Sequence, residues 1–237
     1  MRINRYIAAS TGISRRAADK LVQGARVFIN GIPAQLHDHA TSVDKVEVDK
    51  KRVFLPIEPT TIILNKPVGY VCSRDGQGSK TVYDLLPDEY KGLKPVGRLD
   101  KDSSGLLLMT DDGHLAHELT HPKFVKDKIY LVHLTHPLKG ADFDAITRDG
   151  VDIGDKTLSK FRLEVKSADH EAGEPHKTHD NCYAENTKDW IVTLREGRNR
   201  QIRRTFSALG YTVKTLHRIT FATYSLKDLS PGEFIKT

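Results

Sequence analysis

The sequence is poor in cysteine: Cys72 and Cys182 are its only two among 237 residues, and they stand far apart. That count excludes a disulfide framework and suits a reducing compartment, so a cytoplasmic protein is expected. Long hydrophobic runs are also missing. No stretch approaches the roughly 20 apolar residues that cross a bilayer. The opening Met1-Arg2-Ile3-Asn4-Arg5-Tyr6 has no apolar segment behind its charges, unlike a secretory signal. Internal repeats are absent, as is the strict alternation of strand-like and helix-like segments that marks a doubly wound parallel sheet. The polar, glycine-bearing stretch 73–80 lacks Walker spacing and reads as a plain loop, not a nucleotide cradle.

What is present fits a two-part chain. Hydrophobic residues make up 38%, enough to build a core, and 37 Lys plus Arg exceed 31 Asp plus Glu for a formal charge of +6. A mildly basic balance permits nucleic-acid binding, and the clustering of the cations then matters more than their sum. In residues 1–53, Ile3 and Ile7 lie one helical turn apart. Ser14 can cap a second helix whose apolar side carries Ala17, Ala18, Leu21 and Val22 up to Gly24. Val27-Phe28-Ile29 reads as a strand and Asn30-Gly31 as a hairpin turn, followed by Ile32 and Ala34, then Val46 and Val48, in a second extended run. Arg15, Arg16 and Lys20 fall on exposed helical positions, where a solvated face explains them as readily as a bound partner.

A linker is expected over 53–59, with the second domain covering 60–237. Strands are expected at 61–64, 70–72, 106–109, 129–134, 161–165 and 190–194. Helices are expected at 81–86, 114–119 and 201–209, with extended chain over 212–226. This irregular mixture implies an α+β domain with a mixed, largely antiparallel sheet.

Three stretches could carry chemistry. Gly97-Arg98-Leu99-Asp100-Lys101-Asp102-Ser103-Ser104-Gly105 is a polar loop between apolar segments, where a rigid scaffold often displays functional side chains. A plain turn, with Asp100 and Arg98 paired to neighbours, fits the same residues. On the last helix Ile202, Phe206 and Leu209 form a core face with Arg203 at its margin, while Arg200, Arg204 and Ser207 point the other way. That pattern suits a phosphate-binding patch and an ordinary basic helix equally. Tyr130, within Lys128-Ile129-Tyr130-Leu131-Val132, has the residue type and setting of a strand aromatic filling a core.

Taken in order, these stretches resemble a known family. Asn65-Lys66-Pro67-Val68-Gly69, then Gly97-Arg98-Leu99-Asp100, then Ser104-Gly105-Leu106-Leu107-Leu108-Met109-Thr110, and finally Gly197-Arg198-Asn199-Arg200-Gln201-Ile202-Arg203-Arg204 look like the motifs of the RsuA-like and RluA-like pseudouridine synthases. The N-terminal segment is similar to the small RNA-binding domain of ribosomal protein S-four, also called alpha-L-like. It carries Arg2-Ile3-Asn4-Arg5-Tyr6-Ile7, Ser14-Arg15-Arg16-Ala17-Ala18 and Val27-Phe28-Ile29-Asn30-Gly31. That combination fits the RsuA-like branch.

The resemblance implies isomerisation of a uridine in ribosomal RNA, large-subunit RNA being slightly favoured by Asn199-Arg200-Gln201. Asp100 would be the nucleophile, Arg203 the guanidinium that keeps it ionised, and Tyr130 the platform for a swung-out base. Lys66, Pro67, Gly97, Leu99 and Ile202 would shape the site. Arg98, Arg198, Arg200 and Arg204, with Arg15, Arg16 and Lys20, would contact RNA. The reaction cuts and remakes one bond without redox change, so neither cofactor nor metal is expected. A monomer is also implied.

Two rival readings are kept from the residues alone. A non-catalytic RNA-binding protein of ribosome assembly would keep the basic surface without the chemistry. A metal-dependent nuclease would need ligands, and His170, His176, His179 and Cys182 make only an incomplete zinc set within a polar loop.

Overall fold

The computed structural model describes residues 1–55, 58–121, 123–166 and 181–237. Its N-terminal part comprises α1 (Ile3–Thr11), α2 (Arg15–Gln23), β1 (Val27–Ile29), β2 (Ile32–Pro33), β3 (Val46–Val48) and β4 (Lys51–Val53), with sheet order β2-β1-β3-β4. The Ser14 hydroxyl caps α2 by accepting from Ala17 N–H at 3.1 Å. Asn30 and Gly31 have φ of 53° and 84°, the positive pair that a tight two-residue hairpin requires. A second such pair, Asp49 and Lys50 at 50° and 65°, folds the chain back once more. Val53 consequently pairs with Val46 and ends a strand, where the sequence reading had opened a linker. Ile3, Tyr6, Ile7, Ala18, Val22, Val27 and Val46 close a small core of their own.

The larger part adds β5 (Thr61–Lys66), β6 (Lys94–Pro95), β7 (Ser104–Thr110), α3 (Gly113–Thr120), β8 (Lys128–Leu134), α4 (Gly140–Asp144) and β9 (Arg162–Val165). There follow β10 (Asp189–Leu194), α5 (Gln201–Ala208), β11 (Val213–Phe221), β12 (Tyr224–Ser225) and β13 (Phe234–Lys236). The main path of the sheet runs β13-β5-β7-β11-β8-β10-β9, with β6 on β7 and β12 on β11. Every pairing is antiparallel except β7 with β11. The fold is thus α+β, a small N-terminal α/β unit before a mixed, mostly antiparallel sheet. No helix among the described residues is long and apolar enough to cross a membrane.

The strands β5 and β7 lack hydrophobic alternation because both their faces are covered. Ile62, Leu64, Leu107 and Met109 pack into one core, and Ile63, Leu106 and Leu108 into another on the opposite side. One expected strand is not formed. Residues 70–72 contribute only a single bridge, Val71 with Thr81, because Val71 N–H donates to Lys80 and its carbonyl accepts from Val82 within a closed loop. Neither α4 nor β13 was foreseen.

The parallel contact of β7 with β11 depends on Gly105. It sits at φ 102°, and a Cβ there would lie 2.2 Å from the Arg218 carbonyl oxygen and 2.6 Å from its nitrogen. Gly105→Ala is expected to destabilise the protein by about 3 kcal/mol, from strain and overpacking together. Gly31→Ala, with open space around the added carbon, should cost only the backbone strain of its φ of 84°, about 1 kcal/mol. Urea midpoints of the two variants check the difference.

Candidate active site

The loop between β6 and β7 displays Asp100, and a neighbouring segment holds it from three sides. Fully buried Lys66, at the end of β5, donates to the carbonyls of Ser103 at 2.7 Å and Pro67 at 3.0 Å. Gly69 N–H donates to Lys101 at 2.7 Å. The Cys72 thiol sits 3.4 Å from both the Leu99 carbonyl and its N–H. Burial lowers the Lys66 ammonium below the ordinary lysine value, while the charges of Cys72, Asp100 and Asp102 act in the opposite sense. Burial likewise pushes the Cys72 thiol up. Gly97 turns the loop at φ 72°, and Leu99 is buried beneath it.

Asp100 faces a cavity of about 620 Å³ lined also by Arg98, Lys128, Tyr130, Arg200 and Arg218. That volume lies within the usual range for small-molecule sites, roughly 300–1,000 Å³. Tyr130 stands on β8 in register with Val192 of β10 and Arg218 of β11, at the centre of the sheet. It is 7% exposed, and its hydroxyl has no hydrogen-bond partner among the described residues.

The arrangement of arginines differs from the expected one. Arg203 does not pair with Asp100. Its guanidinium donates to the Asp102 carbonyl and the Val213 carbonyl, both at 2.7 Å, and its Nε lies 3.3 Å from the Asp102 carboxylate. The guanidinium nearest Asp100 belongs to Arg200, at 3.5 Å, and the same group grips Asp102 bidentately at 2.8 and 2.7 Å. That fork holds the Asp102 carboxyl below its ordinary value, against burial and with help from Arg203. The reason is geometric. Arg200 precedes α5 with left-handed backbone, φ 48° and ψ 32°, which carries its side chain toward the loop, whereas Arg203 emerges one turn later behind it.

The family follows from comparison with known proteins. Residues 60–208 match the model described as RNA pseudouridylate synthase. This chain belongs to that family. It is 32% identical over 237 residues to Ribosomal large subunit pseudouridine synthase B of Bacillus subtilis (strain 168), covering 98% of this chain and 90% of the relative. It is 34% identical over 245 residues to Ribosomal small subunit pseudouridine synthase A of Escherichia coli (strain K12), covering 99% and 95%. A crystal structure of pseudouridylate synthase matches with a TM-score of 0.66 at 30% identity, over 100% of this chain and 96% of that one. The protein is an RNA pseudouridine synthase of the RsuA/RluB type, an isomerase.

Two more arginines expected to meet RNA have partners within the synthase itself. Arg198, 19% exposed at its side chain, donates to the carbonyls of Thr157 at 2.6 Å and Leu158 at 3.1 Å and pairs with Glu196. Arg204 pairs with Asp155 at 2.9 Å and donates to Ile153 and Asn199. Both anchor the 153–159 segment against α5, because carbonyls and carboxylates within reach already take their N–H groups. Arg98 stays exposed at the cavity, and Arg15, Arg16 and Lys20 are exposed with no ion-pair partner among the described residues. Pro67 lies next to the Lys66 clamp, and Ile202 is buried on the cavity wall.

His170, His176 and His179 lie outside the described residues, and Cys182 is exposed. Asp102 and Arg218 escaped the sequence reading. Arg218 carries no distinguishing signal in the sequence, because its run Val213–Phe221 also holds Lys214 and His217.

Lys66 supports the loop and lies beneath it, out of the cavity. Lys66→Met is expected to lower turnover about ten- to a hundredfold through a displaced Asp100, with RNA affinity unchanged. Single-turnover rates and filter binding read the two effects separately.

Proposed function

We propose that this synthase converts a uridine of ribosomal RNA to pseudouridine, with Asp100 as the carboxylate that acts on the substrate. The observation that carries the reading is Asp100 lining a nucleoside-sized cavity together with buried Tyr130, and within reach of the Arg200 guanidinium. The ribosomal substrate is supported by relatives whose names specify ribosomal RNA of one subunit or the other at similar identity. The Asn199-Arg200-Gln201 motif favours the large subunit.

The uridine leaves its stack so that the ring enters the cavity, a step most easily made from a loop or bulge. Tyr130 offers a flat, buried face for the ring. Asp100 serves as a nucleophile that divides one hard displacement into two easier ones. The electron pair of the bond from C1′ to N1 departs with the uracil, the ring turns, and C5 bonds to C1′. The proton lost from C5 is matched by one gained at N1, so no oxidant, reductant or added atom is required.

Asp100 acts as a carboxylate, so the mechanism calls for a cation beside it. Arg200 faces it directly. Arg203 acts one step back, tying the loop backbone at Asp102 to α5 and to the start of β11. Residues 1–53 form the RNA-binding domain, with Arg15, Arg16 and Lys20 meeting phosphates and Arg98 guarding the cavity entrance.

Asp100→Asn should fold and bind RNA yet form no pseudouridine on unmodified transcripts of the small- and large-subunit RNAs; product at the wild-type rate would refute the mechanism. Arg15→Ala, Arg16→Ala and Lys20→Ala combined should weaken binding of those transcripts. The slope of log K against log salt should flatten by about two, given roughly 0.7–0.9 per phosphate contact. An unchanged slope would move the RNA off α2.

A further inference from the structure

Arg218 is the least explained charged group in the molecule. It is 2% exposed, yet it lines the active cavity. Its Nε donates to the Leu106 carbonyl at 2.8 Å, while its Nη2 is buried with no hydrogen-bond partner among the described residues. No carboxylate lies within ion-pair distance among the described residues. An unpaired buried cation ordinarily costs several kcal/mol. Its position is nevertheless strictly held: β11 shifts register against β8 between Arg218 and Thr220, which sets Arg218 opposite Tyr130 and Phe221 opposite Lys128. The Arg218 guanidinium stands 5.0 Å from the centre of the Phe221 ring, and the Lys128 ammonium 5.6 Å from the same ring. Burial, and then the charge of Arg218, lower Lys128 below the ordinary lysine value. This end of the cavity is therefore set for an electron-rich ligand atom.

We propose that Arg218 is a substrate-binding catalytic residue, whose free N–H donates to a carbonyl oxygen of the uracil ring as the ring separates from its sugar. This deepens the function proposed above and rests on the ring entering this cavity. A nucleotide offers phosphate, ribose hydroxyl or base carbonyl as acceptor. The phosphates stay with the RNA backbone at the mouth, where exposed Arg98 and Arg200 wait, so the buried group meets the base. When the bond between C1′ and N1 breaks, its electron pair passes to the ring and spreads onto the carbonyl oxygens. A fixed guanidinium in a water-poor pocket binds that anionic ring more strongly than the neutral one, which raises kcat more than it lowers KM. The same grip can hold the detached ring while it turns from N1 to C5.

Sulfur is a weaker acceptor than oxygen, which gives a direct test. Unmodified small- and large-subunit transcripts are prepared with uridine, with 2-thiouridine or with 4-thiouridine, and single-turnover rates are measured for wild type and Arg218→Met. The variant should be slower by about a hundredfold on ordinary RNA, as for loss of one preorganised donor to a developing anion, with KM and RNA affinity within about twofold. One thio substitution should slow the wild type about tenfold but Arg218→Met less than twofold, the non-additivity expected of directly interacting groups.

Equal thio effects on both chains would overturn the contact and leave the rest of the proposed site intact. Absence of product from wild type on both ordinary transcripts would instead sink the ribosomal substrate, and this inference with it. Should Arg218→Met fail to fold, Arg218→Lys, which keeps a cation beside Phe221, supports the same comparison: it should remain sensitive to the thio substitution, and insensitivity would count against the contact.

Discussion

Two strands can lie side by side in parallel here only because one of them has no side chain at the point of closest approach. Gly105 abuts the backbone of Arg218, and that contact joins β7 to β11. Everything that converges on the cavity is arranged from this seam. The loop carrying Asp100 runs directly into β7. On its far side β11 pairs with β8, which brings Tyr130 across from Arg218, and β8 in turn pairs with β10. Because the closest approach involves backbone atoms, neighbouring side chains cannot relieve an intrusion by changing rotamer. The seam is correspondingly intolerant of change.

Charge is distributed around this seam in graded fashion. Lys66 is fully buried and gives its protons to backbone carbonyls, so it braces the loop without entering the cavity. Asp102 gathers two guanidinium groups, Arg200 and Arg203, and leaves Asp100 lightly held at 3.5 Å from one of them. A carboxylate bound tightly by a full fork would be well ionised but poorly available as a nucleophile. One only loosely approached by a cation keeps its lone pairs free. Arg198 and Arg204 meanwhile hold a surface segment in place, so four arginines within seven positions of the chain do three different jobs.

Much of this was legible beforehand. Ser14 capping α2, the Asn30-Gly31 hairpin and the unbroken apolar run of β7 each follow from local chemistry, and each is found. The ordered motifs around Lys66, Asp100 and Arg198–Arg204 identified the family over nearly the whole chain. The errors arose where distant groups compete. Residues 70–72 look like a strand by composition, but the N–H of Val71 is taken by the Lys80 carbonyl in a local loop, and the thiol of Cys72 meets the backbone of Leu99 from farther along the chain. Val53 was assigned to a linker because a turn made by Asp and Lys gives a weaker signal than one made with glycine.

The sequence by itself determined most of the element types, the α+β class and the identity of the loop that bears Asp100, since these depend on residues close together in the chain. Which arginine meets which carboxylate was decided only in three dimensions. A side chain's reach is fixed by backbone direction, and the left-handed turn at Arg200 redirects the pairing in a way that helical periodicity does not encode. The placement of Arg218 was likewise invisible, because a register shift within β11 sets Arg218 and Phe221 beside one another despite their odd spacing. Strand periodicity predicts opposite faces there, and only the pairing with β8 reverses it.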